Sequence, residues 1–329
     1  MAKRAALTIL VATAETGDHG RQIIERAATL AAALSAKLIV FHAAFDSALS
    51  GRPFFDNKRL ARSRGDFVAA RTHELERHAQ ALRKRNIPVD VVVVWAEPAY
   101  EAIIRASVRD NVDLVIAGPH APGRPRNAVA LRHTDWQLLR LCPKPLLLVR
   151  SSAAGASGQV LAALDPTHAN DKPAALDQLL LEWGASMALA VGAELHAVHS
   201  IPDSSYAMDE TAPAARRTRE KQLRAKLDSE IKRAGVRAAG VHVVPGRPEI
   251  AIPAIAKKLD AQLLVMGVIS RRGLQRFAIG DTAERIIHTV NCDLLALKPE
   301  GFKLRLGRAK TEAITLPGKP VSRKSRAKV

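Results

Sequence analysis

Cysteine is nearly missing from this chain: Cys142 and Cys292 are the only two among 329 residues. Two thiols cannot build a disulfide framework or a metal centre of several thiolates. They imply a reducing compartment, taken as the cytoplasm, with both thiols packed as small apolar side chains. Aromatic residues are scarce at 4%, which removes the interleaved platforms on which single-stranded nucleic acids stack. No apolar run suits a membrane span: Ala27 to Phe45 comes nearest, but Lys37 interrupts it and the pattern changes there from helical to strand-like. Gly-x-Ser-x-Gly elbows, a Walker A lysine, zinc-ligand spacings and a Ser-Gly-Gly pyrophosphatase loop are all absent. Nothing sets a nucleophile beside a base, so the expectation is a protein that is not an enzyme.

Acidic residues are also short, 32 against 50 Lys and Arg, giving a formal charge of +18. The excess is uneven. Residues 301–329 hold nine Lys or Arg against Glu312, a net +8. That stretch has few large apolar residues and reads as a basic, disordered tail. A weak, salt-sensitive contact with a polyanion is the sharper expectation for it.

What is present suffices for two cores: 47% of residues are apolar, and the length is about twice a usual domain. The opening MAKRAALTILVATAETG imitates a secretory signal. It reads better as a buried strand, because QVLAALDP at Gln159 to Pro166 opens the second half in the same way. The repeat continues. VVVVWAEPAYEAI from Val91 lies over VHVVPGRPEIAIPAI from Val241, bringing Pro98 over Pro248. DLVIAG from Asp113 lies over QLLVMG from Gln262, and His42 coincides with His199. Repetition at domain length means a duplicated unit. Each unit reads as five apolar strands alternating with helices, which specifies an α/β fold of two tandem doubly wound open parallel sheets. The expected division is 1–150, a small-residue linker at 151–158, 159–300, and the tail at 301–329. Ligands of such sheets lie beyond the carboxyl ends of the strands, where the winding reverses.

DPTHANDKPAALDQLL after the second unit's first strand, VMG…GDTAERII…CDLLALKPE at its end, and HTDWQLLRLCPKPLLLV closing the first unit resemble the universal stress proteins in tandem form, most like the E type. The resemblance covers about residues 5 to 300. It implies a Rossmann-like fold, a role in stress response or regulation, and an adenine-nucleotide site in some members and not in others. It also implies pairing through the final strands, here as an intramolecular pseudo-dimer of the two units, with a homodimer left open.

The family's phosphate loop is G-x2-G-x9-G-(S/T), and the second unit has Gly267, Ser270, Gly280 and Asp281 at that spacing. The resemblance therefore places ATP or a related nucleotide against Asp165, Met266, Gly267, Ser270, Arg271, Gly280, Asp281 and Thr282. Gly267 and Gly280 allow the backbone to approach a phosphate. Asp281, with Glu284 three residues on, reads as an N-cap and capping box whose carboxylate competes for the same N–H groups. Unit charges 4 Å apart repel by roughly 1 kcal/mol in water and about 4 near a protein surface. Arg271, Arg272 and Arg276 offset that repulsion if they turn inward. The first unit keeps Gly118 but has Ala121, Arg132 and Ala14 at the matching positions, and Pro119, Pro122 and Pro125 remove donors, so its site reads as degenerate.

The remaining candidates have plain readings. His42 and His199 read as satisfied strand-end histidines, and His196 and His199 face opposite sides of a strand and cannot share a metal. His168 lacks a partner at metal-ligand spacing. Glu97 and Glu249 fit the positive ends of equivalent third helices. Thr134 to Gln137 reads as a capping box, with Trp136 packed between the units. Arg59 to Arg85 reads as the solvated face of a long helix. The competing functional expectations are a slow nucleotide hydrolase at the second-unit site and nucleic-acid association through the tail.

Overall fold

The computed structural model describes residues 7–14, 16, 18–50, 57–118, 133–150, 158–167, 174–202, 213–268 and 279–302. The first half runs β1 (Thr8–Thr13), α1 (Asp18–Ala33), β2 (Lys37–Ala44), a short 3-10 turn (Ser47–Leu49), α2 (Asn57–Lys84), β3 (Val89–Trp95), α3 (Ala99–Arg109), β4 (Leu114–Ala117), α4 (His133–Leu141) and β5 (Leu146–Leu148). The second half repeats this order with β6 (Gln159–Ala163), α5 (Ala174–Val191), β7 (Glu194–Ile201), α6 (Pro213–Arg233), β8 (Gly240–Pro245), α7 (Pro248–Lys258), β9 (Ala261–Gly267), α8 (Asp281–Thr289) and β10 (Asp293–Leu297).

All ten strands form one sheet in the order β3-β2-β1-β4-β5-β10-β9-β6-β7-β8. Within each half every pair is parallel, and the halves meet through the antiparallel pair β5–β10, with Leu147 opposite Leu295. Each half's otherwise open edge is thereby covered by the other. The pleat sends alternate residues to opposite faces, so Ile9 and Val11 enter one core while Leu10 and Ala12 enter the other. Helices α1, α2, α5 and α6 cover the first face; α3, α4, α7 and α8 cover the second. Each core runs across both halves, because the sheet between them is continuous.

The helix ends repeat as well. Ser35, Asn86 and Asn111 have φ of 51°, 60° and 47°, and the matching Gly192, Gly235 and Asp260 have 67°, 68° and 49°. These are left-handed residues that close α1, α2, α3 and their counterparts. Only two of the six are glycine, so four side chains sit where an L residue is strained. Replacing exposed Ser35 by Gly should raise stability by roughly 0.5–1 kcal/mol, after the entropic cost of Gly in the unfolded chain is subtracted. A urea midpoint that stays put or falls would remove that account of the turn.

A reciprocal clamp joins the halves. Arg150, just after β5, donates from Nη1 to the Ile287 carbonyl of α8 at 2.6 Å. Lys298, at the matching place after β10, donates from Nζ to the Leu139 and Cys142 carbonyls at the end of α4, 2.7 Å each. Each cation therefore meets the negative end of the opposite half's last helix, where carbonyls lack helical partners. Burial nevertheless pushes the Lys298 ammonium down to about 8. Asp293 completes the seam: it pairs with Arg26 of α1 and accepts the Arg150 backbone N–H at 2.8 Å. Trp136 packs on His288 with ring centroids 5.0 Å apart, so its sequence reading as a packing residue between units holds. Both cysteines are free and buried, and burial raises the Cys292 thiol to about 11.

Two sequence expectations about helix starts are corrected. Helix α8 has Gly280 as its N-cap, with extended φ and ψ of −65° and 142° and no side-chain cap bond, and Asp281 is its first helical residue. Helix α4 is already helical at His133, so Thr134 is inside it and does not cap it. In both, the boundary lies a residue or two before the place given by the Ser/Thr/Asp pattern, within the range over which helix ends vary.

Candidate functional site

The order of winding reverses between β6 and β9, which pair in parallel with Ala163 opposite Met266. Beyond their carboxyl ends stand Asp165 on one side and Gly267 on the other. Helix α8 joins β10 through only Val290 to Cys292, and β10 runs parallel to β9. Helix α8 therefore runs antiparallel to the strands, and Gly280, Asp281 and Thr282 lie at the same sheet end. Met266 is 5% exposed within the second core and so contributes wall, not a polar contact. Ser270 and Arg271, with Arg272 and Arg276, fall in 269–278, outside the described residues.

Asp165 is half-buried and shaped by three bonds. Its Oδ1 accepts the Thr167 hydroxyl at 2.6 Å and the Thr167 N–H at 3.3 Å, a turn in which an aspartate substitutes for backbone. Its own N–H donates to the Asp177 carboxylate at 3.1 and 3.3 Å. Asp165-Pro166-Thr167 thus forms a turn, which leaves Oδ2 without a hydrogen-bond partner among the described residues. Asp177 was missed by sequence reasoning. It is 1% exposed in the first turn of α5, and an acidic residue at a helix start was its only signal.

The strand-end histidines are satisfied as expected. His199 Nδ1 lies 3.0 Å from the Leu164 carbonyl and His42 Nδ1 lies 2.9 Å from that of Thr13. A carbonyl only accepts, so in each ring Nδ1 carries the proton. Each pins the backbone immediately before the Asp165 position or its counterpart, Ala14. The third-helix expectation stands for Glu249, in the first turn of α7, paired with Arg247 at 2.5 Å and with Arg285 3.7 Å away, whereas Glu97 precedes the Pro98 N-cap of α3, whose first-turn acid is Glu101.

The first half differs at the corresponding place. Ala14 offers no carboxylate, and the chain two residues on is tied to α2: Thr16 donates its hydroxyl to Glu74 at 2.6 Å, and Arg71 reaches both. The Thr16 hydroxyl bond, ahead of Arg71, holds the Glu74 carboxyl below its usual range. Ala44, Val68 and Trp95 pack beyond β2 and β3, with Phe45 5.5 Å and Phe67 6.0 Å from the Trp95 ring. Gly118 survives in sequence, and a Cβ there would stand 2.5 Å from Ile23 Cδ1, so a side chain at this place would have to push the end of Ile23 aside. Residues 119–132 lie outside the described residues.

Among the described residues no three His, Cys, Asp or Glu converge as metal ligands, and no helix is long and apolar enough to cross a membrane. One pair of histidines was missed: His196 and His242, on neighbouring strands, bring Nδ1 and Nε2 to 3.1 Å.

Comparison with known proteins agrees with this architecture. Universal stress protein E of Escherichia coli strain K12 is 27% identical over 287 residues, covering 85% of this chain and 90% of that protein. A Universal stress protein E homolog of Haemophilus influenzae is 28% identical over 233 residues, 69% and 75% of the two chains. A functionally unknown protein from Pseudomonas aeruginosa PAO1 superposes with a TM-score of 0.68 at 25% identity, over 91% of this chain and 94% of that one. A universal stress protein from Archaeoglobus fulgidus shares the fold at TM-score 0.59 and 18% identity, over 88% and 98%. The model of the universal stress protein family matches twice, at residues 7–150 and 160–298. Two matches on two halves of one mirrored sheet make this chain a tandem member of the universal stress protein family.

Proposed function

We propose that the protein is a non-enzymatic stress-response regulator whose second half binds ATP or a related nucleotide while the first half serves as structural support. The observation that carries this reading is the start of α8. Gly280 at the N-cap has no side chain to occupy the first-turn N–H groups, and among the described residues the Asp281 carboxylate accepts from none of them, so a phosphate finds both the donors and the positive helix end there. Asp281 remains a nearby negative charge, which favours a ligand whose phosphates also meet Arg271. The open Oδ2 of Asp165 supplies an acceptor for a sugar hydroxyl at the neighbouring strand end.

In this reading, 1–150 and 159–300 are the two units, 151–158 is the joint, and 301–329 is a basic extension in weak contact with polyanions. The protein acts in the cytoplasm, as the internal pseudo-dimer or as a homodimer of it.

Native mass spectrometry of gently purified protein, with release and identification of bound small molecules, tests the reading. A stoichiometric nucleotide is expected, lost on Gly280→Arg and kept on Ala14→Arg at the exposed counterpart of Asp165. Gly118→Arg is a poor control, since it strikes Ile23. A protein that is empty and takes up no added ATP would discard the nucleotide reading.

A further inference from the structure

The long helices α2 and α6 occupy equivalent places and carry equal charge. Each has eight Lys or Arg against three Asp or Glu. Their dispositions differ. On α2 the cations are turned to local work: Arg64 lies over Trp95 at 5.2 Å and donates to the Leu49 carbonyl, Arg71 pairs with Glu74, and Arg83 pairs with Glu76. On α6 only Leu223, Leu227 and Ile231 are buried, a narrow stripe at four-residue spacing. Seven of its cations are exposed, with Asp228 as the one exposed acid. Arg217, Lys221, Arg224 and Lys232 fall along one flank at helical spacing, and Asp228 interrupts them once. Helix α6 packs against β8, one of the two edge strands of the sheet. The field of that edge reaches His242 of β8, which is held below its usual range by burial first, then by His196, Arg224 and Lys258.

We propose that this flank of α6 is a docking ridge for the phosphodiester backbone of nucleic acid, with Arg217, Lys221, Arg224 and Lys232 as the phosphate contacts. The rise from Arg217 to Arg224 is about 10 Å. That spans roughly three phosphates of one duplex strand, spaced about 3.4 Å along the axis. Recognition is by charge and spacing, and α6 has no aromatic residue on which a base could stack. A membrane surface fits less well, because an interfacial helix needs an exposed apolar face. The exposed large apolar residues, Val108, Leu189, Val191 and Ile250, all lie on other helices. The proposal rests on neither the nucleotide site nor residues 303–329, so it stands or falls apart from both.

The test is fluorescence anisotropy of the full chain with labelled duplex DNA across a salt series. The triple variant Arg217→Glu, Lys221→Glu, Arg224→Glu is compared with Arg59→Glu, Arg62→Glu, Arg77→Glu on α2, an equal charge change at exposed positions. A third protein ends at Phe302. The α6 variant is expected to lose about tenfold or more in affinity and to lower the salt slope by about 3, while the α2 variant changes less than about threefold. Adding DNA to the wild type should also raise the titration midpoint of His242 measured by NMR, because phosphates offset Arg224 and Lys258. If charge reversal spoils folding, the milder Lys221→Ala, Arg224→Ala pair and the His242 readout decide. Equal losses from both triple variants, no binding by the wild type, binding that depends only on the tail, or an α6 effect confined to phosphatidylserine vesicles would each overturn the proposal.

Discussion

Asp293→Ala should lower the stability of the whole protein by about 3–5 kcal/mol, since breaking a buried ion pair from one side leaves its partner uncompensated. The carboxylate is 4% exposed, it pairs with Arg26 of the first half, and it accepts the Arg150 N–H. Total stabilities are commonly about 5–15 kcal/mol, so this single change removes a large share. It should also weaken the Arg150 arm of the clamp and leave the Lys298 arm in place. Urea unfolding followed by both tryptophan fluorescence and circular dichroism would measure it. Should the alanine variant fail to fold, Asp293→Asn keeps the size and one acceptor, and is expected to lose about half as much. A loss below about 1 kcal/mol in either protein would mean that the seam is held by the β5–β10 strand pair and its apolar surroundings alone.

Asp165→Ala should reduce the affinity for ATP by about 10- to 100-fold, the range of a hydrogen bond to a charged group. The change also removes the Thr167 turn, at a cost of about 1 kcal/mol in stability. Isothermal titration calorimetry at a temperature well below unfolding separates the two effects. Equal affinity in wild type and variant would place the ligand elsewhere. If neither protein binds ATP, the loop from Gly267 to Gly280 has lost its ligand and function belongs to the surfaces. Asp177→Asn offers a finer probe, because it disturbs the Asp165 backbone through the bond to its N–H without touching the ligand.

Much of the fold was legible before any coordinates. The strands near Leu10, Ile39, Val160 and Leu264 are apolar at nearly every position, and this occurs only where both faces of a sheet are covered. The duplication was legible because Pro98, His42 and Gly118 have counterparts at Pro248, His199 and Gly267. The family was legible in other stretches, DPTHANDKPAALDQLL, GDTAERII and HTDWQLLRLCPKPLLLV. That Ala14 stands where the second half has Asp165 was legible too, although the contact of Gly118 with Ile23 was not.

Local patterns misled where one side chain has two good uses. Asp281 with Glu284 is a sound capping pair by spacing, yet Gly280 takes the cap position. His196 was dismissed as a metal ligand because it and His199 face opposite sides of the strand, while its neighbour His242 on the next strand was not considered. Asp177 was invisible because it acts on a backbone N–H twelve residues away.

By itself the sequence determined the α/β class, the two repeated units, the alternation that divides residues between two cores, and the family. These depend on the period and order of apolar residues, which are local in the chain. Only the tertiary structure decided that ten strands join in one sheet through β5 and β10, that Arg150 and Lys298 reach across to the opposite helix ends, and that Asp165 lies at the same sheet end as the Gly280 cap of α8. Those features depend on side chains brought together over separations of more than a hundred residues, where spacing along the chain carries no information about distance in space.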